Sequence, residues 1–414
     1  MYKERLTDSL LKKYLSVIGA VRVTGPRGCG KTTSALRLSR SALVLDGADL
    51  DCSLAMISPS DALKGAAPRL VDEWQLAPWI WDSARRAVDL RASPGQFIFT
   101  GSAVHDERAI FHSGTGRFAF IAMRTMSLFE SGESTGSVSL RRLFEPSCEI
   151  EGQSSLSLED SACLICRGGW PAALGKTGGA LPESARGRLD AIVESEISKV
   201  DGVRRSPKTA RLLLKSFARI MGAQATARAI AGGMAGDGIS KATALSYLKA
   251  LRNLFLIEDS PPAVPRLLTR TPVRTAGASY LADPSLGAAA LGLGPSELLG
   301  DLRTMDRLFR CMAIRDLRVY AEAFNGRILH YRDKTNLECD AVVRFGADSY
   351  GLVEARLGGT LVEEGARSLL ALAGKLDQSV LPAPSFMMVL TATGKYAYRR
   401  KDGVCVVPIG CLGP

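Results

Sequence analysis

Long apolar runs are missing from this chain: no uncharged apolar run in its 414 residues approaches the roughly 18 to 20 that a membrane-spanning helix requires. Met1-Tyr2-Lys3-Glu4-Arg5 leads into no apolar signal core, so the expectation is a cytoplasmic protein with no membrane partner. Histidine is scarce. His105, His112 and His330 are the only three, and none lies near Cys163 and Cys166, the one close pair of cysteines. A zinc site would need a second ligand pair, so the C-x-x-C reads as two cysteines on a helix face. The nine cysteines are odd in number and scattered, which argues for reduced thiols over a disulfide framework. No internal repeat is present. Nor is there a long basic run, although 53 Lys and Arg against 42 Asp and Glu leave a net charge of +11. That excess suits nucleic acid, a nucleotide or an acidic partner, and it equally suits plain solubility charge on an arginine-rich protein. The length is enough for two or three domains, each with its own core.

What the chain does contain is a short β-rich stretch, Val21-Arg22-Val23-Thr24, that breaks into Gly25-Pro26-Arg27-Gly28-Cys29-Gly30-Lys31-Thr32-Thr33. This is the full phosphate-loop pattern G-x-x-x-x-G-K-[ST]. Gly25 and Gly30 allow a tight turn whose N–H groups face phosphate oxygens, Lys31 reaches the β and γ oxygens, and the Thr32 hydroxyl is a Mg²⁺ ligand. Thr33 to Arg40 can continue as a helix with its N-terminus toward the anion. The candidate nucleotide-binding residues are therefore 25–33.

A phosphate loop alone does not imply hydrolysis, so a second acidic motif matters. Pro68-Arg69-Leu70-Val71-Asp72-Glu73-Trp74-Gln75 is an apolar strand ending in two carboxylates. Asp72 suits the Mg²⁺ shell, and Glu73 suits orienting and polarising the attacking water. A further strand, Gln96-Phe97-Ile98-Phe99-Thr100-Gly101-Ser102, ends in hydroxyl residues. If it lies beside the two motif strands, Thr100 or Ser102 can sense the γ-phosphate; otherwise it is a plain strand-to-loop turn. In His112-Ser113-Gly114-Thr115-Gly116-Arg117 the glycines can present Arg117 to a phosphate in the same or a neighbouring subunit, or leave it as a turn arginine. A trans role would require a homo-oligomer. No N-K-x-D run follows the acidic strand, so ATP with Mg²⁺ is expected in preference to GTP.

Alternating apolar and polar helical stretches to about residue 150 have the pattern of a parallel sheet with crossover helices. The expected strands are 19–24, 42–45, 69–72, 96–100 and 118–123. Residues 131–160, rich in Ser, Gly and Glu, read as a loop or boundary. A helical segment follows to about 265, with amphipathic candidates over 188–200, 208–221 and 241–253. Beyond Pro261 and Pro262, strands over 327–331, 339–344, 349–354 and 386–390, with a helix over 361–376, indicate a second α/β or α+β module. The expected division is 1–150, 151–265 and 266–414.

The phosphate loop, Leu70 to Gln75, Phe97 to Ser102, His112 to Arg117 and Met126-Ser127-Leu128-Phe129-Glu130-Ser131-Gly132 together resemble a bacterial and archaeal family of AAA-type ATP-binding proteins. Arg167-Gly168-Gly169-Trp170-Pro171, Ala282-Asp283-Pro284-Ser285-Leu286 and Tyr331-Arg332-Asp333 resemble that family's later part. The resemblance implies an α/β P-loop NTPase with a parallel sheet, followed by a helical winged-helix-like segment and an α/β restriction-endonuclease-like C-terminal domain. Ser240 to Ile257 is similar to the second helix and wing of a winged helix, with Ala244, Leu248 and Leu251 inward. Lys241, Thr243, Ser246 and Lys249 then face outward toward DNA or, in a packing role, toward a protein partner.

The family's C-terminal part is similar to the PD-(D/E)XK nuclease fold, whose active form needs clustered carboxylates and a lysine. Asp340 and Glu354 match two metal-binding positions. Arg356 stands where that pattern has lysine, and Arg310 where it has glutamate. Guanidinium stays protonated and repels a cation, so this domain is expected to be degenerate. The expected activity is nucleoside-triphosphate hydrolysis, with an ATP-gated DNA-binding or DNA-cleaving protein and a non-catalytic nucleotide switch as rivals.

Overall fold

Five short strands build one parallel sheet: β1 (Ala20–Thr24), β2 (Ser41–Val44), β3 (Arg69–Asp72), β4 (Phe97–Gly101) and β5 (Phe118–Ala122). Their order is β2-β3-β4-β1-β5, and each lies within one residue of its expected bounds. In this computed structural model the described residues are 2–45, 50–103, 114–222, 230, 232, 239–263, 277–376 and 382–414. They fall into two units. The first is Met1–Thr125 with Glu196–Arg204 and Lys249–Leu256; the second is Met126–Ser195 with Arg205–Leu248 and Ile257–Pro414.

The first unit packs its sheet on an aromatic core. Trp81, on helix Ile80–Arg91, stacks on Phe118 with ring centres 3.9 Å apart, and Trp74 lies 5.0 Å from Trp81. Phe97 and Phe99 of β4 join them. Trp74 is fully buried and starts a single 3-10 turn, Trp74–Leu76. The acidic motif is thus nailed to the core directly after its last carboxylate; truncating such an indole costs about 3–5 kcal/mol.

The first boundary falls after Thr125, not near residue 150. Two short strands, β6 (Val138–Ser139) and β7 (Gly152–Gln153), belong to the second unit. Two more, β8 (Ile257–Ser260) and β9 (Ala278–Leu281), pair antiparallel as a ribbon. Then come β10 (Arg327–Arg332), β11 (Glu338–Phe345), β12 (Ser349–Arg356), β13 (Phe386–Thr391), β14 (Tyr396–Arg399), β15 (Cys405–Pro408) and β16 (Leu412–Gly413). A mixed sheet runs β10-β11-β12-β13-β15-β14-β7, and β6 pairs with β16. The segment read as a loop therefore supplies partners to the C-terminal strands. Apart from Glu196–Arg204 and Lys249–Leu256, the expected middle segment shares this unit with the C-terminal one. Helix Leu302–Ala323 packs on β10, β11 and β12, and helix Leu361–Lys375 on β11, β12 and β13.

Three of the motifs that carried the family resemblance meet at one buried arginine of the second unit. Arg315 reaches Asp283 at 3.2 Å and Asp316 at 2.8 Å. Asp283 also accepts from the Gly169 N–H, and Asp316 from the Leu128 N–H. A Cβ at Gly168 would stand 2.0 Å from Asp283 Oδ1, so only glycine fits there. Trp170 Nε1 donates to Ser285 Oγ at 3.1 Å. These motifs are structural.

Helix Lys241–Asn253 matches its expected bounds, with Ala244, Leu248 and Leu251 buried. Lys241 and Lys249 are exposed. Ser246 is not free to face outward as expected: its carbonyl and hydroxyl accept from Arg205 at 3.4 and 3.2 Å. The candidate helix over 188–200 is instead split among Ala180–Ala191, a wider turn Ile192–Glu196, and Ile197–Lys199.

Candidate functional site

All five strands of the first unit run the same way, so the phosphate loop after β1, the acidic pair after β3 and the hydroxyl residues of β4 emerge at one edge. β4 lies between β1 and β3. That placement brings three separate sequence motifs together.

The loop is shaped by close backbone passage. A Cβ at Gly25 would lie 2.0 Å from the Met123 carbonyl oxygen, and Gly28 and Gly30 take φ of 80° and 110°, a region that side chains resist. Gly30 caps helix Lys31–Leu38. Cys29 is buried, with its thiol toward the Met123 carbonyl at 3.4 Å. Thr33 is exposed, and Arg27 pairs outward with Glu196 at 3.6 Å. Lys31 is buried and donates to the Gly25 and Pro26 carbonyls at 2.9 and 3.1 Å. Its ammonium thus closes the loop on itself, with partners that a phosphate oxygen can replace.

Asp72 is buried at the end of β3. The Thr32 hydroxyl lies 2.9 and 3.0 Å from its two carboxylate oxygens, and the Thr100 hydroxyl donates to the same carboxylate. A hydroxyl and a carboxylate already in contact, both hard oxygen donors, fit a Mg²⁺ site completed by phosphate and water. Glu73 has φ of 52°, a left-handed backbone that costs a non-glycine residue about 1–3 kcal/mol. The turn sends its carboxylate away from Asp72's partners: it accepts from the Ser102 hydroxyl at 2.9 Å, the Ser102 N–H at 3.3 Å and the Gln75 carboxamide. Thr100 and Ser102, alternatives at the sequence level, thus divide between the two carboxylates.

Arg117 is a correction. It precedes β5, whose first residue pairs with Ala20 at the start of β1, so it stands at the opposite edge of the sheet from the loop. Five residues of strand separate the two edges, about 16 Å at 3.3 Å per residue. Arg117 instead binds Asp89 at 2.8 Å and the Thr115 carbonyl at 3.3 Å, which rules out a catalytic role toward its own phosphate loop. His112 and Ser113 lie outside the described residues.

Sequence reasoning passed over Arg5. It is buried and donates to the Cys29 carbonyl at 2.8 Å and the Arg124 carbonyl at 2.9 Å, bracing the phosphate loop against the end of β5. A charged residue near an N-terminus carries no local signal of such a role.

In the second unit Asp340 and Glu354 do come together, around arginine. Arg356 reaches Asp340 at 3.2 Å and Glu354 at 2.5 Å, and Arg310 reaches Asp340 at 3.4 Å and Asp306 at 2.9 Å. Burial pushes Asp340 up, but Arg310, Arg356 and the Ala355 N–H outweigh it and hold it below the ordinary carboxylate range. Burial, with Asp340 beside it, pushes Glu354 well above that range. Among the described residues no group of three or more His, Cys, Asp or Glu can hold a metal ion, and no helix is long and apolar enough to cross a membrane. Cys163 and Cys166 share helix Leu158–Arg167, where burial pushes the Cys166 thiol to about 12.

Residues 19–131 match the family model of the AAA domain. With the loop, the acidic strand and the sheet order, that match identifies a P-loop NTPase domain of AAA type. Residues 158–297 match a domain of unknown function (DUF8612), which ends before the strands carrying Asp340 and Glu354. No curated protein matches the chain. Among solved structures, a Walker-type ATPase of Pyrococcus abyssi is similar at 15% identity and a TM-score of 0.42, over 70% of this chain and 96% of that one.

Proposed function

We propose that the chain is a Mg²⁺-dependent ATPase. The observation that carries this reading is the contact between the Thr32 hydroxyl and both Asp72 oxygens at 2.9 and 3.0 Å, beside a buried Lys31. Lys31 exchanges its two loop carbonyls for β- and γ-phosphate oxygens, and the backbone N–H groups that follow Pro26 in the loop line the phosphates. Thr32 and Asp72 would hold Mg²⁺, which when bound offsets the phosphate charge. Glu73 orients and polarises the attacking water, and Ser102 senses the γ-phosphate from the end of β4.

The test is ATP turnover with Mg²⁺ for wild type, Lys31→Ala and Glu73→Gln, with and without double-stranded DNA at stated salt. Turnover abolished by both substitutions supports the reading; binding with no turnover in any condition moves it to a non-catalytic switch. Stimulation by DNA supports a DNA-linked role for the helical segment, and indifference directs the search to a protein partner.

For residues 266–414 we read a nuclease-like sheet that does not cleave. The Arg356 guanidinium between Asp340 and Glu354 supports this, since it occupies both carboxylates with a fixed positive charge. Metal-dependent nicking of plasmid DNA by wild type, lost in Asp340→Asn, is the result that overturns it.

A further inference from the structure

Glu73 is the residue that the ATPase reading needs as a base, and its carboxylate is already engaged. One oxygen, Oε2, takes three donors: the Ser102 hydroxyl at 2.9 Å, the Ser102 N–H at 3.3 Å and the Gln75 carboxamide nitrogen. That is more than its two lone pairs accommodate well. Gln75 must present nitrogen here, because its oxygen would repel the carboxylate. Its Oε1 is then buried with no hydrogen-bond partner among the described residues, an unfavourable state for an acceptor. The end of β4 is shaped to receive this side chain: a Cβ at Gly101 would stand 2.8 Å from Gln75 Oε1. Gln75 is thus held against Glu73 in an arrangement with one acceptor left unsatisfied, which favours release once a competing partner arrives.

We propose that Ser102 and Gln75 form a clamp that withholds Glu73 from water until a terminal phosphate draws the Ser102 hydroxyl away. The inference rests on the ATPase reading and adds its regulation. Serine has one O–H to donate, so a bond to the γ-phosphate and a bond to Glu73 are mutually exclusive. A nucleoside triphosphate breaks the clamp; a diphosphate, lacking the terminal phosphate, leaves it closed. Ser102 and Gln75 act through Glu73 and are positioning residues.

The experiment measures kcat and KM for ATP, with Mg-ATP binding in parallel, on the full chain for wild type, Gln75→Leu and Gly101→Ala. Gln75→Leu removes one donor, and the Cβ of Gly101→Ala crowds the carboxamide oxygen at 2.8 Å while meeting Trp74 Nε1 at 3.1 Å. Both are expected to raise kcat about threefold to tenfold, the rate equivalent of one net hydrogen bond, with KM unchanged. If wild type binds Mg-ATP but is silent, turnover should appear in Gln75→Leu. Intact binding with kcat unchanged or lowered in both Gln75→Leu and Gly101→Ala overturns the clamp alone. Absence of Mg-ATP binding in wild type overturns the ATPase reading, and the clamp with it.

Discussion

Two places in this chain set paired carboxylates beside a positive charge, and they are finished in opposite ways. In the first unit Lys31 rests on two backbone carbonyls and Thr32 on Asp72. Every one of those contacts can be given up to a phosphate or a cation of higher charge. In the second unit Arg356 is covalently part of β12, between Asp340 and Glu354, while Arg310 closes on Asp340 from helix Leu302–Ala323. A tethered, always-protonated guanidinium does not leave. Charges balanced by partners that a ligand can displace make a site, whereas charges balanced by the chain itself make a strut.

The largest effect that tests this contrast belongs to Glu73. Glu73→Gln should lower kcat by about 10² to 10⁴-fold, the usual range for loss of a general base, with Mg-ATP binding kept; near-normal turnover would remove the first half of the comparison. Next is Arg356→Ala, which should cost the second unit about 3–5 kcal/mol by leaving buried Glu354 without its guanidinium and Asp340 with Arg310 alone. Thr32→Ala, by contrast, should cost the first unit about 1–1.5 kcal/mol, one hydrogen bond with Thr100 still on Asp72; urea unfolding of the two variants against wild type reads the difference. Similar losses at both positions would mean that the nucleotide site is a strut as well.

A smaller effect concerns Asp333, a buried carboxylate satisfied entirely by the chain: Thr335 N–H and hydroxyl, the Leu337 N–H and Lys375 at 3.0 Å. Burial pushes it up, but these partners hold it below the ordinary carboxylate range. Its contribution to stability is therefore present above its unfolded value, about pH 4, and is lost as pH falls through the lower folded value. Asp333→Asn should remove that acid-side slope, at a cost of about 1.5 kcal/mol at neutral pH; unfolding midpoints from pH 2 to pH 7 decide it. The smallest expected effect is at Arg117. Its alanine variant should change kcat by less than about twofold, because the side chain answers Asp89 at the far edge of the sheet; a large loss would reveal action on a neighbouring subunit.

The five strands of the nucleotide domain were legible because each is a short, largely apolar run closed by a turn signal, and the three central ones, β1, β3 and β4, are mostly buried, as parallel strands covered on both faces are. The loop and the Asp-Glu pair were legible because their chemistry restricts residue type at fixed spacing. Arg5 was not, since its partners are the carbonyls of Cys29 and Arg124, distant in sequence and of no particular residue type. Arg117 was misplaced for a related reason: flanking glycines indicate a turn but not the edge of the sheet on which it falls. The boundary near 150 failed because β6 and β7 are two residues each, too short to show a period, and their partners lie far downstream.

Those two short strands carry a consequence for synthesis. The first unit has its whole sheet within residues 20–122 and can assemble it while the rest of the chain is still being made. The second cannot do the same, since Val138–Ser139 pair with Leu412–Gly413 and Gly152–Gln153 with the strand Tyr396–Arg399. More than 240 residues must emerge between each strand and its partner, a long loop to close and a slow step. Val138–Ser139 and Gly152–Gln153 therefore wait for their partners through most of translation, and unpaired strand edges are what chaperones and proteases engage.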